Sequence, residues 1–361
     1  MKDIEIAKQI LKVRLRLEEG VKITIKEIPY LEGTAKSLCK AKEPEEILAD
    51  ILGEKYIKYR KRWHNAQQFK IRPLFPIHLD FELAYRCNLK CIMCPHGDPK
   101  FKHPYMGKKL DTEMIKKILK GGVQQGLSSV RFSVLNEPLL EKSLVDLIRY
   151  AKDIGIIDIF ITTNGMLLSE QKSYELIHAG LTHLMVSLDA ATPETYSIIR
   201  KGGNYKKVVK NIENFLKVRA ETGSRLPLLR LSFTKMKPNV HEVEKFVKMW
   251  VDKVDYIAIA GYLNNLDDSE VNKRLRVSRT IKGKFNCWQP WARCTIFANG
   301  DVFPCCLNYG RYTPVGNIYK NKLTDIWQSD KVKYIQDINK AGKYFKHPAC
   351  LKCVSSRDEF E

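Results

Sequence analysis

No run of this sequence approaches the ~18 uninterrupted apolar residues of a membrane-spanning helix, although 44% of its 361 residues are hydrophobic. The opening residues Met1-Lys2-Asp3-Ile4-Glu5-Ile6 scatter charge where a secretory signal needs an apolar core. Together these absences set the expectation of a cytoplasmic protein with no membrane span. A concentrated block of one charge sign is also missing. The formal net charge is +21, yet the lysines are spread over the whole length. That pattern reads as a solvated Lys/Glu-rich surface more than as a polyanion-binding face. Disulfides are not expected in such a compartment, so ten cysteines argue for metal ligation. Nine of them fall in two regions, 87–94 and 287–353, which points to two metal sites.

The most informative absence is a fourth cysteine near Cys87-Asn88-Leu89-Lys90-Cys91-Ile92-Met93-Cys94. This C-x3-C-x2-C loop follows an apolar run at 76–83 that reads as a strand, and the next cysteine is Cys287. Tetrahedral zinc and ordinary cubane clusters both take four protein ligands. Three cysteines can hold three irons of a [4Fe–4S] cluster and leave the fourth iron open. A zinc loop or a set of reduced core thiols is the alternative.

Around this loop the chain alternates between strand and helix patterns. Strands are expected at 77–83, 129–134, 158–162, 183–187, 228–233 and 256–260, with amphipathic helices at 111–120, 139–153, 169–179, 205–222 and 240–251. Such alternation specifies an α/β fold with a mainly parallel sheet and helices outside it. Six units are too few for the closed eight-stranded barrel. Upstream, 4–17 has helical spacing, 21–28 alternates with period two, and 43–52 reads as a helix with Pro44 in its first turn. The stretch 55–63 interleaves Lys and Arg with aromatics. It reads as a helix packing its aromatics on the next domain, the alternative being a nucleic-acid or anionic-lipid contact. Cys39 is expected to be a buried or surface thiol.

Near the C-terminus, Cys287, Gly300 and Cys305 fall at C-x12-G-x4-C, and Cys350-x2-Cys353 follows. Thr295 to Pro304 reads as a hairpin turning on Asn299-Gly300-Asp301. Four thiolates also satisfy a structural zinc site, and Cys294 and Cys306 are left over.

The loop spacing, with Met93 before its last cysteine, resembles the radical S-adenosylmethionine (SAM) superfamily. That resemblance implies an open partial (β/α)6 TIM-like barrel with ligands at the C-terminal ends of the strands. It also implies a [4Fe–4S] cluster on Cys87, Cys91 and Cys94, whose open iron is chelated by SAM and whose electron yields a 5′-deoxyadenosyl radical. Leu135-Asn136-Glu137-Pro138 stands where the superfamily usually has Gly-Gly-Glu-Pro. Asn136 and Glu137 are accordingly expected at the SAM amino group, the other reading of Glu137 being a favourable acid at a Pro-led helix start. Thr162-Thr163-Asn164-Gly165 and Ser187-Leu188-Asp189-Ala190 resemble superfamily strand ends. Ser187 and Asp189 are the ribose candidates, with helix capping the alternative for Asp189. Arg200 matches an arginine beside the SAM or substrate carboxylate. His78, His96 and His103 read as structural.

The second cysteine set resembles the SPASM/twitch extension of that superfamily. Only enough cysteines follow for the twitch form, which implies one auxiliary [4Fe–4S] cluster on Cys287, Cys305, Cys350 and Cys353, with Cys294 able to stand in for Cys287. The expected organisation is an N-terminal extension at 1–76, a radical SAM core at 77–280 and a small auxiliary-cluster domain at 281–361. The resemblance implies hydrogen abstraction from a substrate and a fully ligated second cluster for electron transfer. Oxidation of a sugar-like small molecule is the first candidate activity, as in the aminocyclitol dehydrogenase among twitch enzymes. Peptide modification is the alternative, and a non-catalytic iron–sulfur or zinc protein on nucleic acid a remote one. A flavodoxin- or ferredoxin-like electron donor is the expected partner. The cysteine arithmetic predicts about eight irons as two four-iron cubanes after anaerobic reconstitution. Replacing Cys87, Cys91 and Cys94 together by Ala is expected to leave about four, by iron and sulfide analysis.

Overall fold

The computed structural model describes residues 24–27, 35–39, 42–101, 105–263, 269–277, 285–305 and 314–355. Two strands, β1 (Thr24–Glu27) and β2 (Ala35–Cys39), precede the six expected from the alternating pattern. Those six are β3 (His78–Phe81), β4 (Ser129–Arg131), β5 (Asp158–Thr163), β6 (His183–Ser187), β7 (Leu228–Lys235) and β8 (Tyr256–Gly261). They lie side by side in chain order, all parallel. Three more strands, β9 (Arg293–Ile296), β10 (Asp301–Phe303) and β11 (Gly316–Asn317), complete one sheet of eleven. Among the described residues the sheet does not close on itself: β2 and then β1 extend it antiparallel beyond β8, while β9 pairs parallel with β3 at the other edge. This is the open partial barrel that the resemblance implies.

Alternation along each strand separates two environments. Leu79, Val130, Ile159, Leu184, Leu229 and Ile257 belong to the main apolar core, packed with helix residues such as Leu147, Leu176, Phe215 and Trp250. Each such burial stabilises by about 1.5–3 kcal/mol. Their strand neighbours Arg131, Phe160, Met185 and Arg230 face a polar lumen. Helix starts follow local chemistry. Asp111, Ser169 and Asn204 each accept a hydrogen bond from the backbone three residues on. Gly180 ends the helix Glu170–Ala179 in the left-handed conformation, φ 88°.

Two expected helices are shorter than their patterns. The segment 139–153 begins as a 3-10 turn, Pro138–Leu140, and becomes α-helical only at Leu144–Asp153. Glu141 lies between the two, its buried carboxylate held by Arg86 at 2.6 Å and Lys109 at 3.1 Å. Likewise 240–251 opens with the 3-10 turn Val240–Glu242, where Glu242 accepts from Ala191 N and from Thr195. The 55–63 stretch forms the helix Glu54–Gln67, with Tyr56, Tyr59 and Trp63 buried. Trp63 meets Trp288 edge-on at 5.2 Å and His78 at 6.0 Å, which is the packing reading of that stretch. The helical pattern at 4–17 lies outside the described residues. Among the described residues no helix is long and apolar enough to cross a membrane.

The join between β3 and β9 carries buried charge. Asp80 is fully buried, with Arg131 at 2.7 Å, Arg293 at 2.6 and 3.0 Å, and Thr295 at 3.2 Å. These cations hold its carboxyl well below the usual range despite burial. Just beyond β3, Glu82 has no such partner. It accepts from Ala298 N at 3.2 Å, its Oε1 has no hydrogen-bond partner, and burial pushes its carboxyl up to about 8. The folded chain therefore keeps a proton that the unfolded chain releases from about 4.5 upward, so this group's contribution to stability falls as pH rises through that window. Glu82→Gln is expected to melt above the wild type, by a margin that widens between pH 5 and pH 8. Thermal unfolding at both pH values checks it, and a margin that stays constant would refute it.

Candidate SAM and iron–sulfur sites

The chain leaves β3 and runs through Cys87, Cys91 and Cys94 before the 3-10 turn Pro95–Gly97. The loop is shaped by its own backbone: Cys94 N donates to Cys91 O at 3.0 Å and Gly97 N to Cys94 O at 2.8 Å. Gly97 packs so closely that a Cβ would lie 2.2 Å from Cys91 O, so only glycine fits there. Lys90 N and Ile92 N donate to Lys201 O and Ile199 O, which docks the loop against the segment containing Arg200.

Three further strand ends meet the loop. Glu137, past β4, is buried, and its backbone N donates to Arg86 O at 2.9 Å. Its carboxylate accepts from Leu139 N at 3.1 Å, Thr163 Oγ1 at 2.7 Å and Asn164 N at 2.8 Å. Burial raises its pKa, and these donors oppose the rise. Glu137 thus caps the Pro138–Leu140 turn and also ties β4 to the end of β5. Asn136 is buried beside it; its Oδ1 accepts from Val134 N at 3.0 Å, while its Nδ2 has no partner. Asn164, which the sequence reading passed over, donates to Asn88 Oδ1 at 2.7 Å and lies 3.8 Å from Cys87 Sγ. The Thr-Asn-Gly strand end was its available signal.

At the end of β6, Ser187 lies opposite Ser232 of β7 and is half-buried. Asp189, two residues on, is fully buried at φ 58°, a left-handed conformation uncommon outside glycine. Its oxygens accept from Thr234 N at 2.7 Å and from Arg200 Nη2. It does not cap the helix Pro193–Ile199; Thr192 does, accepting from Thr195 N. Arg200 Nη1 reaches Cys91 Sγ at 3.6 Å, and its Nε is buried without a partner. Burial pushes the Cys94 thiol up to about 12 and raises Cys87 as well. Of the histidines, His78 sits at the start of β3, held between Ser129 and Asp80, and His96 stacks on Tyr85 at 4.3 Å. His103 lies outside the described residues.

The second cysteine set meets in one cavity. Cys287, Cys305, Cys350 and Cys353 line it together with apolar residues and with Gln289, Asn339 and His347. Cys294 is elsewhere: it pairs with Leu79 across β9 and β3 and is 1% exposed in the main core. It therefore cannot stand in for Cys287. Cys306 lies outside the described residues, and Cys39 is a buried thiol. A zinc ion binds its sulfurs at ~2.3 Å, which would draw them tightly together. Among the described residues no three such ligands converge on a single ion. Four cysteines on one cavity are the donor set that a four-iron cluster takes.

The two sites lie at opposite ends of one strand pair. β3 and β9 are parallel and in register from His78↔Arg293 to Phe81↔Ile296. Cys287 precedes β9 while Cys87 follows β3, and β10 runs back antiparallel to deliver Cys305 to the Cys287 end. Gln289 lines the C-terminal cavity and accepts from Arg293, at 3.4 Å, which lines the lumen.

Against known families, residues 81–231 match the radical SAM superfamily, and residues 287–354 match an iron–sulfur cluster-binding domain, SPASM. A radical SAM domain works with a [4Fe–4S] cluster and SAM, and a SPASM domain with auxiliary iron–sulfur clusters. A probable GTP 3′,8-cyclase of Methanococcus maripaludis strain C5 is 40% identical over 133 residues, 37% of this chain and 43% of that protein. The GTP 3′,8-cyclase of Petrotoga mobilis is 32% identical over 190 residues, 52% of this chain and 55% of that protein. The chain thus spans about half the length of these curated relatives. Among solved structures, BtrN in complex with AdoMet and 2-DOIA has a TM-score of 0.53 at 18% identity, covering 80% of this chain and 95% of that one. SuiB of Streptococcus suis bound to S-adenosylmethionine has a TM-score of 0.56 at 17% identity, covering 95% and 94%. At such identities the likeness establishes the fold alone.

The geometry separates Cys287 from Cys294 by experiment. Cys287→Ala is expected to lose the second cluster, about four irons, while Cys294→Ala keeps full iron content. Iron and sulfide analysis of both reconstituted variants checks this, and iron loss in Cys294→Ala would reverse the assignment.

Proposed function

The chain belongs to the radical SAM superfamily and carries a C-terminal iron–sulfur cluster-binding domain, and from that premise we propose an enzyme that cleaves SAM reductively and oxidises a small, hydroxyl-bearing substrate. The observation that carries this reading is the convergence of the Cys87–Cys94 loop, Glu137, Asn164 and Arg200 at the C-terminal ends of the strands. Cys87, Cys91 and Cys94 would hold a [4Fe–4S] cluster with one open iron, which would supply the electron for cleaving SAM to methionine and a 5′-deoxyadenosyl radical.

Glu137 accepts from the SAM amino group with the lone pair its three donors leave over. Asn136 Nδ2, buried and without a partner, is available beside it. Ser187 offers its hydroxyl to the ribose at the end of β6. Asp189 acts through Arg200: it holds the guanidinium against Cys91, where the positive charge balances thiolate and a carboxylate can dock bidentately. A hydroxyl-bearing carbon that gives up a hydrogen atom must then lose a proton and one electron to become a carbonyl. The C-terminal cavity, joined to the lumen through Gln289 and Arg293, is the site for receiving that electron when Cys287, Cys305, Cys350 and Cys353 hold a cluster. A one-electron donor of the flavodoxin or ferredoxin type supplies the electron for SAM cleavage.

A small molecule suits this barrel better than a peptide, because its strand-start end is covered. The helix Glu54–Gln67 lies across the strand starts, with Tyr56, Tyr59, Arg60 and Trp63 lining the same cavity as His78, His183 and Tyr256. A second reading is an anionic substrate such as a nucleotide. It is favoured by Arg131 and Arg293 sharing one carboxylate at the lumen wall and by relatives that are GTP 3′,8-cyclases.

Roles can be separated by replacing Cys350 and Cys353 with Ala. The folded double variant, retaining about four irons, is expected to form 5′-deoxyadenosine from SAM with dithionite and to yield no oxidised product. The triple variant of Cys87, Cys91 and Cys94 is expected to form neither. Full substrate turnover by the folded double variant would make the second cluster structural and remove its redox role.

A further inference from the structure

We propose that His347 and Asn339 set the reduction potential of the C-terminal cluster by donating hydrogen bonds to its sulfur atoms. The proposal rests on the reading that Cys287, Cys305, Cys350 and Cys353 hold that cluster. The cavity they line is otherwise mostly apolar, with Phe285, Pro290, Pro304, Val315 and Ile335 among its walls. Such surroundings oppose the negative charge that reduction adds, and by themselves keep a cluster's potential low.

Two side chains in that wall work against this. Asn339 sits on the helix Asp330–Lys340, where its Nδ2 donates to Ile335 O at 2.8 Å and to Cys350 Sγ at 3.5 Å. It already addresses one of the four sulfurs, and its anchor to the helix backbone fixes that direction. His347 lies just before the helix Pro348–Ser355 that carries Cys350 and Cys353. Its Nδ1 is buried with no hydrogen-bond partner, an arrangement native interiors rarely leave in place. Burial holds its pKa below the ordinary histidine value, so the ring is neutral at pH 7 and one nitrogen carries a proton. With that proton on Nδ1, the orphaned atom becomes a donor in the wall of the cysteine cavity. An N–H aimed at a sulfide or thiolate sulfur stabilises the reduced, more negative cluster more than the oxidised one. Each such bond therefore raises the midpoint potential and makes the cluster a better acceptor of a substrate electron.

The test is an EPR-monitored redox titration of anaerobically reconstituted protein carrying both clusters. His347→Phe and Asn339→Leu are each expected to lower the midpoint of the C-terminal cluster and leave that of the Cys87–Cys94 cluster in place. His347→Gln keeps an N–H donor and is expected to shift it less than His347→Phe. An unmoved midpoint in His347→Phe with full iron content would overturn the proposal while leaving the four-cysteine assignment intact. Iron confined to the Cys87–Cys94 loop would sink both. Wild-type protein with 15N-labelled histidine gives an independent measurement should a variant lose iron. The reduced C-terminal cluster should show an exchangeable proton and a weak nitrogen coupling. A directly bonded nitrogen, or none, would refute the hydrogen bond.

Discussion

One carboxylate holds this architecture together at its most consequential joint. Asp80 is fully buried and receives Arg131 from β4 and Arg293 and Thr295 from β9, with His78 of its own strand alongside. Burying an ionised carboxylate is costly, and a partner's removal would leave uncompensated charge in the interior. Once both arginines are in place, however, only one register of β9 on β3 satisfies them. The C-terminal segment is thereby added as the next parallel strand of the barrel sheet instead of hanging from it as a separate body.

That register decides where chemistry can happen. With β3 and β9 parallel and aligned, the loop after β3 and the cysteine before β9 must lie at opposite ends of the pair, with the polar lumen beside them. Arg293 belongs to both neighbourhoods: it answers Asp80 in the barrel wall and reaches Gln289 at the rim of the C-terminal cavity. The same residue that pins the strand thus forms a polar connection between lumen and cavity. Structural and functional demands on it are not separable.

The SAM-side loop is organised differently, by hydrogen bonds between strand ends rather than by an ion pair across strands. Glu137 collects donors from its own turn and from Thr163 and Asn164, while Asn164 reaches Asn88 in the cysteine loop. Asp189 and Arg200 close the arrangement from the other side. Each loop is short and irregular, so its conformation depends on its neighbours. Replacing the superfamily's Gly-Gly by Leu135-Asn136 is accommodated because Asn136 satisfies Val134 N and Leu135 packs beside Tyr105 and Phe297.

The strands β3 to β8, the three-cysteine loop and the hairpin at Gly300 were legible because their signals are local: alternation with period two, cysteine spacing, and an Asn-Gly-Asp turn. Where the sequence was ambiguous, the deciding information was distance in space. Along the chain Cys294 can stand in for Cys287, and only the pairing of β9 with β3 carries Cys294 into the core and leaves Cys287 in the cavity. Asp189 reads as a ribose contact or a helix cap until Arg200 and Thr234 N occupy its oxygens. Asn164 becomes part of the site only when the end of β5 comes against the cysteine loop. His347 has no motif at all. Its place beside four cysteines follows from how two C-terminal helices pack. Sequence by itself determined the types of ligand and the order of the strands, because those are set by residues near one another in the chain. Tertiary structure alone decided which ligands share a site, because that depends on registers and buried charge pairs between segments hundreds of residues apart.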